Sequence, residues 1–441
     1  MSIESDIIVA LSTPPGVSAL ALVRVSGKGC HDIISKMAER SFEYRQATHC
    51  YLSHNDQLID DVVITTWKGP ASYTGEDMVD ISCHGNKVIV DLLIEAWYAN
   101  GARLARGGEF TQRAFLNGKM DLTQAEAVIE LIHAQSMRSL KAARVVKEGG
   151  LSRLLETCRD TLLQLLAHLE AYIDFPEEDI KPEVGEKFIV TMTELEAVIL
   201  KLLQTADEGR KLRQGIQVAL VGEPNVGKSS LLNALLNQQR SIVSDRPGTT
   251  RDTIEETLLL EGIEVRFIDT AGVRIEPDEI EKLGIDRTFE AMERADLILC
   301  LVDGTKADHD TTLFQIPPGK AVLYCITKAD LPHLWKGEGI RISSHTGSGI
   351  AELKKAIVQT LSLEESIQSQ EVVTINARHE LLLKEILKSL ERAREEVKQG
   401  APPELVSSDL RQTLHALNDV VGEATNEEVL DRLFSTFCIG K

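Results

Sequence analysis

Apolar positions along this chain fall into three textures, and the changes between them are abrupt. Over residues 1–118 short apolar runs alternate with polar ones. Val17–Val25, Asp61–Trp67 and Met78–Cys83 read as strands, and Val88–Tyr98 has helical spacing. That mixture predicts an α+β domain. From Leu122 to about Arg213 the chain turns to long stretches rich in Leu, Ala, Glu and Arg, broken near Phe175-Pro176 and Pro182. The same texture returns from Asn376 to Leu433, interrupted at Gly400-Ala401-Pro402-Pro403. Between these blocks, over roughly 214–363, apolar runs at Ile216–Val221, Ile254–Leu260, Glu264–Ile268, Leu297–Val302, Ala321–Ile326 and Ile340–Ser343 read as strands, with helices after Ser229 and over Ile280–Arg294. Strands alternating with helices predict a parallel α/β sheet. Such domains often have neighbouring termini, so insertion into a continuous helical domain is the economical arrangement. The expected organisation is therefore 1–118 α+β, 119–213 the first helical part, 214–363 the α/β domain and 364–441 the second helical part.

A chain of 441 residues has room for two to four domains. No apolar run reaches transmembrane length and Met1–Asp6 does not resemble a signal peptide, so a cytoplasmic protein without a membrane partner is expected. The seven cysteines are scattered, with no C-x-x-C pair, and read as reduced thiols. A net charge of −20 argues against a non-specific nucleic-acid binder but leaves room for a local basic face. Arg138, Lys141, Arg144 and Lys147 recur at every third position, either as a solvated helix face or as an RNA or partner contact.

The chemistry concentrates in the α/β domain. Gly222-Glu223-Pro224-Asn225-Val226-Gly227-Lys228-Ser229 fits the P-loop pattern and lies between a strand and a helix, which is the context the pattern needs. Backbone N–H groups over 225–230 (Asn225, Val226, Gly227, Lys228, Ser229, Ser230) and the helix dipole then converge on a phosphate chain. Lys228 reaches the β- and γ-phosphates, and Ser229 supplies a Mg²⁺ ligand. Asp269-Thr270-Ala271-Gly272 follows a strand; an Asp there holds Mg²⁺ through water, and Gly272 lets its N–H approach the γ-phosphate. Gly248-Thr249-Thr250 precedes a strand, and Thr250 can complete the Mg²⁺ shell as a γ-phosphate sensor. Thr327-Lys328-Ala329-Asp330 stands where guanine is read, with Asp330 accepting from N1–H and the exocyclic amine. Thr327 replaces the usual Asn, so one contact is weakened or lost. Ser343-Ser344-His345 matches the loop that closes over the base. Five such segments in order define a Ras-like G domain binding GTP and Mg²⁺. The Gln that often orients the attacking water is replaced by Val273. Asn225 offers an oxygen where a monovalent cation could sit. By spacing alone Glu281 reads as a surface helix residue.

GEPNVGKSSLLNALL, SIVSDRPGTTRD, DTAGVR and the terminal Phe437-Cys438-Ile439-Gly440-Lys441 together resemble the MnmE (TrmE) family of tRNA-modification GTPases. The resemblance extends through TPPG, LVRVSG, YTGEDMVDISCHG and GEFTQRAFLNGKMDLTQAEAV, and so covers essentially the full length. It implies a folate-binding, dimerising N-terminal domain, an all-α domain in two segments and an inserted G domain. It implies K⁺-dependent GTP hydrolysis in a homodimer. With the FAD-dependent partner MnmG, in a heterotetrameric complex, an aminomethyl-type group is built on C5 of the tRNA wobble uridine from a tetrahydrofolate derivative (5-formyl or methylene). By motif position the resemblance makes Asn225, Ser244, Arg246 and Thr249 the K⁺ site, within a nucleotide loop that also includes Asp245, Pro247 and Gly248. It makes Glu281 the water-orienting carboxylate, with Arg274 in the same switch. Arg24, Asp80, Lys119 and Lys441 fall on the folate pocket, although Asp80 stands where the family resembles a glutamate. Cys438 falls on a thiol proposed to be reactive; a tail packed against the folate pocket is the other reading. A different class, a GTP-switched RNA-binding or ribosome-assembly factor, fits less well, since such proteins append a basic module and this chain is acidic.

Overall fold

The computed structural model describes residues 6–174, 186–237, 255–260, 263–269, 289–307, 316–361, 373–423 and 426–440. They form two compact units, one of Met1–Ile129, Val146–Leu200 and Arg378–Lys441, the other of Glu130–Val145 and Lys201–Ala377.

The first unit begins with a six-stranded sheet. Its strands are β1 (Ile8–Leu11), β2 (Ser18–Ser26), β3 (Thr48–His54), β4 (Gln57–Trp67), β5 (Met78–Gly85) and β6 (Arg103–Leu104), in the order β3-β4-β5-β2-β1-β6. Neighbours are antiparallel except β1 and β6. Ala21, Val23 and Val25 of β2 and Val79, Ile81 and Cys83 of β5 point into one core with Leu93 and Trp97 of α2 (Lys87–Ala99) and Ile34 of α1 (Cys30–Met37). Alternation then sends the residues between them to the other face. Arg24 and Asp80, directly opposed in the β2–β5 register, are among those.

The rest of this unit is helical. In α6 (Gly150–Asp174) the buried residues Leu151, Leu155, Cys158, Leu162, Leu165, Leu166 and Leu169 follow a three-four spacing, and this stripe packs against α13 (Pro403–Val421). α13 meets α12 (Ala377–Lys398) through a buried Ser389–Thr413 hydroxyl pair at 2.7 Å. Pro403 at its first turn lacks only an N–H that would have had no helical partner. Between α3 (Glu109–Leu116) and α14 (Glu427–Phe434) an aromatic core of Phe115, Phe434 and Phe437 closes over Leu122 of α4 (Leu122–His133).

One buried carboxylate links the two helical segments. Glu126 of α4 receives Arg378 Nε on Oε1 at 2.7 Å and Nη2 on Oε2 at 3.0 Å, and His379 Nε2 lies 2.7 Å from Oε2 as well. Arg378 also donates to the carbonyls of Asp419 and Val420 at the end of α13, each at 2.9 Å.

The second unit holds a sheet in the order β12-β11-β10-β7-β9-β8, parallel except for the β8–β9 pair. The strands are β7 (Ile216–Gly222), β8 (Glu255–Leu260), β9 (Ile263–Asp269), β10 (Leu297–Asp303), β11 (Ala321–Thr327) and β12 (Ile340–Arg341). Every residue of β10 is buried, as expected of a central parallel strand covered on both faces. Ile216, Val218 and Leu220 of β7 face α9 (Lys228–Asn237) and α11 (Ile350–Thr360); Ala219 and Val221 face the other side, with Met292 of a helical turn at 289–294, α10. Helix α8 (Ala206–Gln214) adjoins the returning chain: Arg213 Nη2 donates to Ile375 O at 2.8 Å. Arg210 of α8 donates to Asp296 at 2.5 Å, whose other oxygen takes the Gln217 N–H at the start of β7. The basic residues Arg138, Lys141, Arg144 and Lys147 lie on α5 (Met137–Lys147).

Burial pushes the Glu126 carboxyl up, but His379 and Arg378 outweigh it and hold the pKa at about 2, against an ordinary 4.5. A depressed folded-state pKa gives stability that is present above the unfolded value and lost as pH falls toward the folded one. Glu126→Gln is therefore expected to cost about 3–5 kcal/mol at neutral pH by leaving the half-buried Arg378 and the buried His379 without their anion. Urea unfolding followed at pH 7 and then below pH 4.5 checks this, with the gap to the unsubstituted chain narrowing as the acid limb is entered. An unchanged midpoint at pH 7 would show that the cluster adds nothing.

Candidate functional site

The phosphate loop leaves β7 at Gly222, which is held too tightly for any other residue. A Cβ there would sit 2.8 Å from Val226 Cγ1 and 2.9 Å from Leu301 O. Two loop residues take left-handed backbone angles, Asn225 at φ 62° and Gly227 at φ 104°. Such turns bring successive N–H groups to one side and form an anion cradle ahead of the α9 N-terminus. The Lys228 ammonium donates to Gly222 O at 2.6 Å and Glu223 O at 3.1 Å, so it lies across the loop. Lys306 pairs with Glu223 at 2.6 Å. Ser229 and Ser230 open α9 and are exposed.

The second half of the site comes from the ends of β10, β11 and β12. Lys328 sits at φ 59° and donates to Asp303 at 2.6 Å. Burial raises the Asp303 pKa, but the donors from Lys328 and from the hydroxyl and N–H of Thr305 prevail and bring it to about 2. Asp330 accepts from Ser343 Oγ at 2.6 Å, which holds its carboxyl below the usual range. Ala329 N donates to Ile342 O, fastening the same loop to the Ser343–His345 segment. Thr327 is 4% exposed, and its hydroxyl donates to Val226 O at 2.8 Å with Val302 O at 3.2 Å. Where the sequence reading sees only a missing amide, the hydroxyl has a task inside the protein.

Asp269 is the last residue of β9. Ser244, Asp245, Arg246, Pro247, Gly248, Thr249, Thr250, Thr270, Ala271, Gly272, Val273, Arg274, Glu281 and Lys441 lie outside the described residues.

In the first unit Arg24 and Asp80 form a two-point pair, Nε to Oδ1 at 2.9 Å and Nη2 to Oδ2 at 3.3 Å. The Arg24 guanidinium lies 5.5 Å from the centre of the Tyr73 ring, whose hydroxyl meets Thr111 at 2.9 Å. The loop carrying Tyr73 is anchored by Thr74 on Ser26, by Glu76 on Arg113 and by Asn117 on Thr74 O. Lys119 reaches the same loop, donating to Pro70 O at 2.9 Å. Sequence reasoning did not single out Tyr73, although it stands inside the YTGED stretch. The C-terminal tail docks on this domain: Gly108 N donates to Cys438 O at 3.3 Å, and Ser12 Oγ to Gly440 O at 2.9 Å. Cys438 is exposed, whereas the other six cysteines are buried. Burial pushes the thiols of Cys158 and Cys300 up to about 11. Among the described residues Asp60, Asp61 and His84 bring ligand-type atoms within 4.8 Å. Asp60 already accepts from the His84 main-chain N–H at 2.8 Å and lies 2.9 Å from its Nδ1, contacts that pin the end of β5.

Strand order, phosphate loop and base-side loop together define a Ras-like G domain, carried on a chain that also holds an α+β domain and a helical domain. The profile of the MnmE helical domain matches residues 122–438, and that of the GTP-binding protein TrmE N-terminus matches residues 7–119. The tRNA modification GTPase MnmE of Aquifex aeolicus is 43% identical over 98% of this chain and 99% of its own length. That of Akkermansia muciniphila is 43% identical over 98% of both chains. For Thermotoga maritima the identity is 40%, over 99% of this chain and the whole of the relative. The chain belongs to the MnmE (TrmE) family of tRNA modification GTPases. Among solved structures the G domain of the T. maritima FeoB iron transporter is similar over 98% of its length and 33% of this chain, at 26% identity and a TM-score of 0.25. No helix among the described residues is long and apolar enough to cross a membrane.

Gly440 has φ 91°, and a Cβ there would lie 2.3 Å from Leu11 O. Gly440→Val is accordingly expected to release the tail from Ser12 and Gly108. Hydrogen exchange at the Gly108 amide reports this and should accelerate at least tenfold while exchange in the G domain stays constant. Unaltered protection at Gly108 would show that the tail tolerates the side chain.

Proposed function

We propose that the protein is a K⁺-dependent GTPase which, with MnmG, installs an aminomethyl-type group on C5 of the tRNA wobble uridine from a folate one-carbon unit. The observation that carries this reading is the end-to-end relationship to tRNA modification GTPases, in a chain that holds both the phosphate loop and the Arg24–Asp80 pair. In this reading 1–118 binds folate and dimerises, 119–213 and 364–441 form the helical domain, and 214–363 is the inserted G domain. The protein works in the cytoplasm as a homodimer, joined with MnmG in a heterotetrameric complex that acts on tRNA.

Among the described residues, those on the proposed folate and guanine sites suit the groups they would hold. Arg24, Asp80 and the Tyr73 ring offer a cation, an anion and an aromatic face in one place, which suits a flat heterocycle carrying donors and acceptors. Lys119 on the adjoining loop and Lys441 at the end of the docked tail would complete that site. The folate, when bound, supplies the carbon. Ser229 and Thr250 would hold Mg²⁺, and Asn225 with Ser244, Arg246 and Thr249 would hold K⁺. A fixed cation beside the phosphates, shielded from water, stabilises developing negative charge more than it would in solution. Asp330, held by Ser343, would read the donor edge of guanine. Val273 cannot orient water, so that task falls to Glu281, with Arg274 in the same switch.

Hydrolysis is expected to be fast in K⁺ and slow in Na⁺, and Asn225→Ala should abolish that preference. Glu281→Ala should slow turnover by about two or more orders of magnitude with GTP affinity nearly intact. Steady-state phosphate release in the two salts is the measurement, and equal rates would remove the cation from the mechanism. Asp330→Asn should weaken GTP binding roughly ten- to a hundredfold, because charge-assisted hydrogen bonds are lost. Calorimetry with GTP and ATP checks this, and comparable affinities in the unsubstituted protein would overturn the guanine assignment. The tRNA role stands or falls on nucleoside analysis of tRNA from a strain lacking the gene.

A further inference from the structure

Thr327 ends β11 opposite Asp303 of β10, between two stretches of chain that are far apart in sequence. On one side is the phosphate loop, through Val226 O at 2.8 Å; on the other is β10, through Val302 O at 3.2 Å. The side chain is buried, and a hydroxyl carries one proton. That proton lies between two main-chain carbonyls, with the shorter contact on the phosphate loop. What remains on Oγ1 is lone pairs. The Hoogsteen (major-groove) edge of guanine presents only acceptors, N7 and O6. Acceptor facing acceptor gives no attraction, so Thr327 has nothing to offer that edge. An asparagine differs in kind, since its amide has two protons and could hold the Val226 carbonyl while donating to the base.

We infer that Thr327 is a positioning residue that ties the phosphate loop to the base-reading loop, and that this protein does not read guanine at N7. The inference rests on the guanine-site reading proposed above. Recognition of the base then falls on the opposite edge, where N1–H and the exocyclic amine donate to Asp330. Asp330 and Lys328 hang from the strand end that Thr327 fastens. Lys328 is held to Asp303 and Asp330 to Ser343, so the Thr327 hydroxyl sets base loop and phosphate loop relative to one another.

The experiment is calorimetric titration of the full-length chain with GDP and with 7-deaza-GDP, which replaces N7 by a carbon and keeps the N1–H and amine edge. The two are expected to bind within about twofold of each other. Thr327→Asn should create a preference for GDP of about fivefold or more, since a free amide proton then faces N7. Thr327→Val, which keeps the shape and removes the hydroxyl, should weaken both nucleotides by the same factor, roughly tenfold, and Thr327→Ser should restore them. A merely structural role for Thr327 would leave the GDP to 7-deaza-GDP ratio at unity in Thr327→Asn. Tighter binding of GDP than of 7-deaza-GDP by the unsubstituted chain would overturn the N7 inference while leaving the guanine site standing. Wild-type affinity in Thr327→Val would overturn the positioning role. A chain that binds neither nucleotide would overturn the guanine-site reading itself.

Discussion

A carboxylate in a helical core is tolerated only where cations meet it, and Glu126 meets two. Burying an unpaired charge costs several kcal/mol, so the Glu126 position dictates where Arg378 and His379 must lie. Both follow directly on the segment that returns from the G domain. The same guanidinium that neutralises Glu126 satisfies the last carbonyls of α13, which a helix end cannot satisfy for itself. Three helices drawn from two distant stretches of chain are thereby indexed to one another by charge as well as by packing. Leucine stripes alone can slide by a turn; a two-point guanidinium–carboxylate contact cannot.

The G domain achieves its order differently. Its phosphate side is built from main chain, with Gly222 pressed against Leu301 O and two left-handed residues at the loop's turn. Its base side is built from side chains, each restrained by a neighbour. Lys328 sits against Asp303, Asp330 against Ser343, and Thr327 against the phosphate loop itself. Charged groups fixed in this way need little rearrangement when a ligand arrives, which is the physical content of preorganisation.

What could be read from the residues divides along the same line. The phosphate loop was legible because its glycines, lysine and serine sit at fixed spacing between an apolar run and a helix, and a plain surface turn requires none of these. Long uniform helices were legible from their spacing, and the interruption at Gly400-Ala401-Pro402-Pro403 falls at the junction of α12 and α13, with Pro403 opening α13. Short strands were not. β1 is four residues long, β6 is two, and β3 mixes Thr, His and Ser among its apolar positions. The strand expected over Ile340–Ser343 shrinks to Ile340–Arg341, because Ser343 N turns to Ser348 O instead of continuing the ladder. Arg24 and Asp80 were placed in one pocket by the family resemblance alone; their direct opposition depends on the β2–β5 register, which neither strand encodes by itself. The Glu126–Arg378 pair spans 252 positions, and no local pattern announces it. The Thr327 hydroxyl looked like a defect because its partner, Val226 O, is a backbone atom that leaves no mark in a motif.

The docked tail has a consequence for how the protein is made. Ser12 and Gly440, which share a hydrogen bond, are 428 positions apart. On a ribosome the N-terminal sheet can form while most of the chain is still being translated, at roughly 5–20 residues per second. The tail that lies on β1 and on residues 107–108 does not yet exist at that time. The N-terminal domain therefore reaches its finished state only once residues 438–440 have been made and have docked on it. A chain cut short anywhere between the N-terminal sheet and Gly440 carries an N-terminal domain without the segment that docks on it.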